Sequence, residues 1–101
     1  MYMITRTATL KNLSFLPKAI GWGKEISGYI NKTYPGFDVK VGVEMFGQAR
    51  LHWSYTAPTL EKLEAVNAKL IQDQKYFAMI DSVKELWVDG SVKDTIVMVV
   101  P

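Results

Sequence analysis

The sequence contains no cysteine, so it has no disulfide framework, no thiolate nucleophile, no zinc–thiolate site and no cysteine-ligated iron–sulfur cluster. It has one histidine, His52, and no predicted strand face carries two carboxylates, which argues against a metal site. Charge of one sign is also scarce. Twelve basic and 10 acidic residues leave a net charge of +2, too small an excess to mark a nucleic-acid or acidic-membrane surface. The basic residues stand singly, 7 against 3 acidic in residues 1–50 and 5 against 7 in residues 51–101, which suits two helices with differently charged outer faces. No apolar run approaches the roughly 20 residues that span a bilayer. The opening Met1-Tyr2-Met3-Ile4-Thr5-Arg6 lacks the basic stretch and apolar core of a secretion signal. A cytoplasmic protein without nucleic-acid or membrane partners is expected. Glycine-rich phosphate loops are missing too: Gly21 and Gly23 fall inside a helical pattern, and no Lys-Ser/Thr follows them, so no cofactor is expected.

What is present is an ordinary globular composition, 49% hydrophobic and 22% charged over 101 residues, enough for one domain spanning 1–101. Residues 2–10, rich in threonine and β-branched or aromatic types, read as strand one. Ser14 is a candidate helix cap with Pro17 in the first turn, and apolar residues from Leu16 to Ile30 recur at helical spacing up to Tyr34-Pro35-Gly36. Gly21, Gly23 and Gly28 each cost this helix about 1 kcal/mol relative to alanine; close approach to a sheet would account for them.

Residues 38–46 alternate, with Val39, Val41, Val43 and Met45 on one face, and residues 50–57 answer with Leu51, Trp53 and Tyr55. The two read as a hairpin. Thr59 can cap a second helix, with a bend near Gln72-Asp73-Gln74 and a helical pattern on to Trp87. Asp89-Gly90-Ser91 is a turn. Residues 95–101 hold five consecutive apolar residues, the pattern of a strand buried on both faces.

The order strand, helix, strand, strand, helix, strand defines an α+β, ferredoxin-like fold: a four-stranded antiparallel sheet carrying both helices on one face. Strand four should lie beside strand one, with strand two at the opposite edge. Both helices are committed to one face, so an apolar last strand needs cover from a second copy, and a homodimer is expected, with Ile96, Met98 and Val100 or their neighbours at its centre.

In length, element order, broken second helix and apolar last strand, the chain resembles the dimeric α/β-barrel superfamily, which includes antibiotic-biosynthesis monooxygenase-like, NIPSNAP-like, EthD-like and stress-responsive barrel domains. The resemblance implies two sheets packed face to face around a space for a ligand or an aromatic substrate. Haem-degrading members use an Asn, a Trp and a His; the adjacent His52 and Trp53 here point to opposite faces and do not match, so no family catalytic residue is carried over.

The hairpin register supplies one constellation. Keeping both apolar rows against the helices requires an odd link and sets Met45 opposite Leu51, Val43 opposite Trp53 and Glu44 opposite His52. A carboxylate beside an imidazole could orient it as a general base or as a hydrogen-bond donor to an anionic ligand, or be only a cross-strand polar pair. Glu44 and His52 are thus the candidate catalytic residues, on the face turned toward the second sheet, with Arg50, Ser54 and Lys40 as candidate ligand contacts and Arg6, on the row of Ile4 and Ala8, a weaker companion whose direction the pattern leaves open. The face carrying Trp53 and Tyr55 argues against an RNA-recognition module, which shares this element order. Three functions remain: a barrel binding a small aromatic molecule, a cofactor-independent monooxygenase or isomerase acting on an aromatic or polyketide-like substrate, and a purely structural dimerisation unit.

Overall fold

The computed structural model describes residues 1–44 and 47–101. Strand β1 (Tyr2–Thr9), helix α1 (Leu16–Thr33), strands β2 (Lys40–Val43) and β3 (Arg50–Ala57), helices α2 (Leu60–Ile71) and α3 (Gln74–Asp81) and strand β4 (Lys93–Met98) follow in that order. The sheet is antiparallel and ordered β2-β3-β1-β4. The ferredoxin-like α+β fold and the strand order read from the sequence are thus present.

The helix boundaries follow local chemistry. Thr59 caps α2, its hydroxyl oxygen accepting from the Lys62 N–H at 3.2 Å, and Asp73 caps α3 through the Tyr76 N–H at 3.0 Å, which places the break where the sequence suggests it. Ser14 is not a cap. Instead the Asn12 side chain accepts from the Ser14 N–H at 2.8 Å and starts a 3₁₀ turn over Leu13–Phe15, after which α1 begins with Pro17 in its first turn. Of the three glycines in α1, a Cβ on Gly23 would stand 3.2 Å from both Leu51 and Val41, so the helix touches the sheet there. Nothing in the structure explains Gly21 or Gly28 in this way.

The apolar rows of β2 and β3 share the helix-packed face, but the register is two residues away from the expected one. Val43 pairs with Leu51, Val41 with Trp53 and Gly42 with His52. The link is longer because Glu44 turns the chain. Its N–H donates to the Arg50 carbonyl at 3.1 Å and its carboxylate accepts from the Gln48 N–H at 3.1 Å. Gly47 follows at φ 144° with Glu44 Oε2 only 3.0 Å from where a Cβ would stand, a position that requires glycine. The expected part of strand two at Met45 and Phe46 lies outside the described residues.

Strand β4 departs most from expectation. All six of its residues are exposed in the single chain, because it is an edge strand and a cavity lies beneath Asp94 and Ile96. The packed core sits elsewhere, where Leu51 and Leu86 are wholly enclosed with Leu10, Ala19 and Val83.

Candidate functional site

Arg6 on β1 and Asp94 on β4 are paired in register. Both follow the inward parity of their strands, Arg6 lying between Ile4 and Ala8 and Asp94 two residues from Ile96. Their side chains form a two-point ion pair, Nε to Oδ1 at 2.7 Å and Nη2 to Oδ2 at 2.8 Å. Arg6 holds the Asp94 carboxyl below the usual carboxylate range. The remaining guanidinium nitrogen, Nη1, lies 3.5 Å from the Tyr76 hydroxyl, a long contact. Burial pushes the Tyr76 phenol up while Arg6 pulls it down, with a net rise.

This polar group stands at one end of a cavity of about 190 Å³ between the sheet and the helices. The half-exposed Arg6 and Asp94 and the exposed Val92 and Ile96 mark its opening. The three tryptophans of the chain line its interior. Trp22, Trp53 and Trp87 contact one another with ring centroids 5.8–5.9 Å apart and steeply inclined planes, the arrangement aromatic quadrupoles favour. The Trp22 indole N–H donates to the Met79 carbonyl at 2.9 Å, tying α1 to α3. The other walls are mostly apolar, among them Ile26, Phe37 and Leu70, with Asn67 and Tyr55 as polar exceptions. A cavity of about 150 Å³ with such walls suffices for one benzene ring.

Asp73 fixes the helix that carries Tyr76. Its Oδ2 accepts from the Tyr29 and Tyr34 hydroxyls at 2.7 and 2.6 Å while Oδ1 caps α3. The bonded carboxylate favours neutral phenols and pushes Tyr34 up to about 12. A group whose folded-state value is raised stabilises the fold below its unfolded value and loses that contribution as pH climbs through the folded one. Tyr34 should therefore ionise near 12 when its ring carbons are followed by NMR. In Asp73→Asn, which keeps a capping side chain, it should fall toward the ordinary value of about 10. An unchanged late titration would contradict the assignment to Asp73.

The residues singled out in the sequence lie on the opposite, open face of the sheet. Glu44 and His52 do meet, Oε1 to Nε2 at 3.1 Å, although across a diagonal and not as direct partners. Arg50 joins them, its Nε 3.1–3.2 Å and its Nη2 3.0 Å from the Glu44 carboxylate. Arg50, then His52, hold that carboxyl below its usual range. Ser54 pairs in register with Lys40. Lys40 itself is largely exposed, 3.9 Å from Asp38. None of the five lines the cavity.

Tyr76 and Asp94 were not recognised as site residues from the sequence, and Arg6 stood only as a weaker companion whose direction the pattern left open. The signal was there in Arg6, a charged residue on the row of Ile4 and Ala8, and in Asp94 at the matching parity on the neighbouring strand. Among the described residues, no three His, Asp or Glu side chains gather where they could hold a metal ion, and no helix is long and apolar enough to cross a membrane.

Fold and cavity together define a ferredoxin-like α+β protein with a partly open, mostly apolar cavity between its sheet and helices. Comparison with solved structures gives the same fold. A NIPSNAP domain protein from Burkholderia xenovorans superposes with a TM-score of 0.80 at 11% identity, over 99% of this chain and 95% of that one. A NIPSNAP family protein of unknown function from Agrobacterium tumefaciens gives 0.78 at 17%, over 96% and 86%. A protein described as an antibiotic biosynthesis monooxygenase gives 0.71 at 9%, over 100% of both chains. The resemblance read from the sequence is thus matched at the level of fold. No sequence-family profile matches the chain, and no curated protein does.

Proposed function

We propose that the protein binds a small, mostly apolar ring compound in the cavity between sheet and helices, with Arg6 and Tyr76 meeting its polar end. The observation that carries this reading is the combination of about 190 Å³ of space, walls of tryptophan and aliphatic side chains, and a single guanidinium at the opening. Ligand pockets typically pair apolar walls with a few fixed polar groups in this way. Titrating one-ring aromatic compounds while recording the three tryptophan indole N–H resonances tests it directly. Saturable shifts are expected at Trp22, Trp53 and Trp87; indoles that stay fixed throughout would refute the reading.

We further propose that it works as a cytoplasmic homodimer. Met3 and Val97 on the open face are 51% and 50% exposed, and Ile96 and Met98 on the other face of the sheet are 53% and 60% exposed. Such an apolar edge strand is a pairing liability unless covered. Sedimentation at low micromolar concentration should give twice the chain mass of 11.4 kDa; a stable monomer would remove this part of the proposal.

A second reading is supported by the 3.1 Å contact of Glu44 with His52. Here Glu44 and His52, with Arg50, Ser54 and Lys40, form a ligand or reaction site between two facing sheets. The fold shared with a protein described as a monooxygenase adds turnover of an aromatic substrate as an option for either site. His52→Ala separates the readings: ligand affinity stays unchanged if the cavity is the site and is lost if the open face is. Oxygen consumption with the bound compound separates an oxygenase from a binding protein.

A further inference from the structure

The ion pair at the cavity opening is electrically complete. Asp94 occupies the Nε and Nη2 edge of Arg6 with both carboxylate oxygens, at 2.7 and 2.8 Å, so the pair carries no net charge toward the cavity. Among the described residues, Nη1 is the guanidinium nitrogen that meets no carboxylate, and its neighbour there is the Tyr76 hydroxyl at 3.5 Å. That hydroxyl can accept from Nη1 and still donate its own proton. The opening therefore presents two hydrogen-bond donors, one guanidinium N–H and one phenol O–H, with the positive charge of Arg6 already offset by Asp94.

This arrangement discriminates between ligands of one shape. An uncharged carbonyl oxygen accepts from both donors and leaves the ion pair intact. A carboxylate in the same position would lose water against mostly apolar walls and meet an ion pair whose charges already cancel, so that nothing offsets its own charge unless it displaced Asp94 from Arg6. We propose that Asp94 sets the charge selectivity of the cavity, so that its ligand is an uncharged carbonyl compound on a single apolar ring and not the corresponding acid. The proposal rests on the cavity reading above and adds the chemical class of the ligand and the residue that selects it.

The test uses three compounds of one size: ethylbenzene, acetophenone and benzoate, titrated against the tryptophan indole resonances at neutral pH. The natural protein should bind acetophenone more tightly than ethylbenzene and at least about tenfold more tightly than benzoate, the scale on which an uncompensated polar group is rejected. In Asp94→Asn, which keeps shape and removes charge, benzoate should tighten by about tenfold or more while acetophenone changes less than about threefold. Asp94→Ser, in the half-exposed position, should show the same reversal. Arg6→Met, which leaves the Tyr76 hydroxyl as the remaining donor, should bring acetophenone down toward the affinity of ethylbenzene. Benzoate binding as tightly as acetophenone in the natural protein, or no gain for benzoate in either Asp94 variant, would overturn the inference while leaving the cavity as a site. Failure of all three compounds to move the indoles would remove the cavity reading and the inference with it.

Discussion

Leu51→Ala should cost the domain about 2–5 kcal/mol in urea unfolding, the range for truncating a fully enclosed leucine. Leu51 is 0% exposed at the centre of β3, packed in the same cluster as Leu10, Ala19, Val83 and Leu86. Helix α1 approaches it closely through Gly23, and backbone held that near cannot easily sink into the space left behind. A domain of this size has about 5–15 kcal/mol in total, so the loss should lower the unfolding midpoint severely. A loss under about 1 kcal/mol would mean that the packing around β3 is looser than described.

Ala8→Leu should do the reverse. Ala8 is 4% exposed and its side chain lines the cavity, so the larger side chain enters space that is already open. Stability should stay within about 1.5 kcal/mol of the natural protein, because filling a void offsets the strain of added bulk. Ring-ligand affinity should be lost, since the added atoms occupy the ligand's volume. Calorimetric melting beside the indole titration reads both effects on one sample. Undiminished affinity in a folded Ala8→Leu protein would place the ligand somewhere other than this cavity.

The sequence was most legible where periodicity and caps agreed. The β3 boundaries, the Thr59 cap and the Asp73 break all follow from local residue chemistry, and the strand order follows from the element order. Legibility fell where a side chain and not the backbone decided the geometry. The hairpin parity could be reasoned from the apolar rows, but its register depended on the Glu44 carboxylate folding back onto the Gln48 N–H, which no pattern announces. Strand β4 misled for a related reason. Its run of apolar residues reads as two buried faces, yet in the single chain one of those faces borders the cavity and both are exposed.

The candidate site was half visible. The Glu44–His52 contact was anticipated from opposed positions and is made, on the open face. The cavity was not anticipated, because apolar residues at helix-packed positions read as a filled core. Only the spatial closeness of Trp22, Trp53 and Trp87, drawn from α1, β3 and the segment before β4, shows that the aromatic residues frame a chamber. Arg6 made sense as an inward residue only once Asp94 was seen to neutralise it across the β1–β4 ladder.

The central claim is that the chamber between sheet and helices is where this protein holds a small molecule. A crystal structure of the protein with acetophenone, or with the tightest one-ring ligand from the indole titrations, tests it most directly. The ring is expected against Trp53 and Trp22, with its oxygen toward Arg6 Nη1 and the Tyr76 hydroxyl. Ligand found instead beside His52 and Glu44 on the open face, with the chamber empty, would contradict the account.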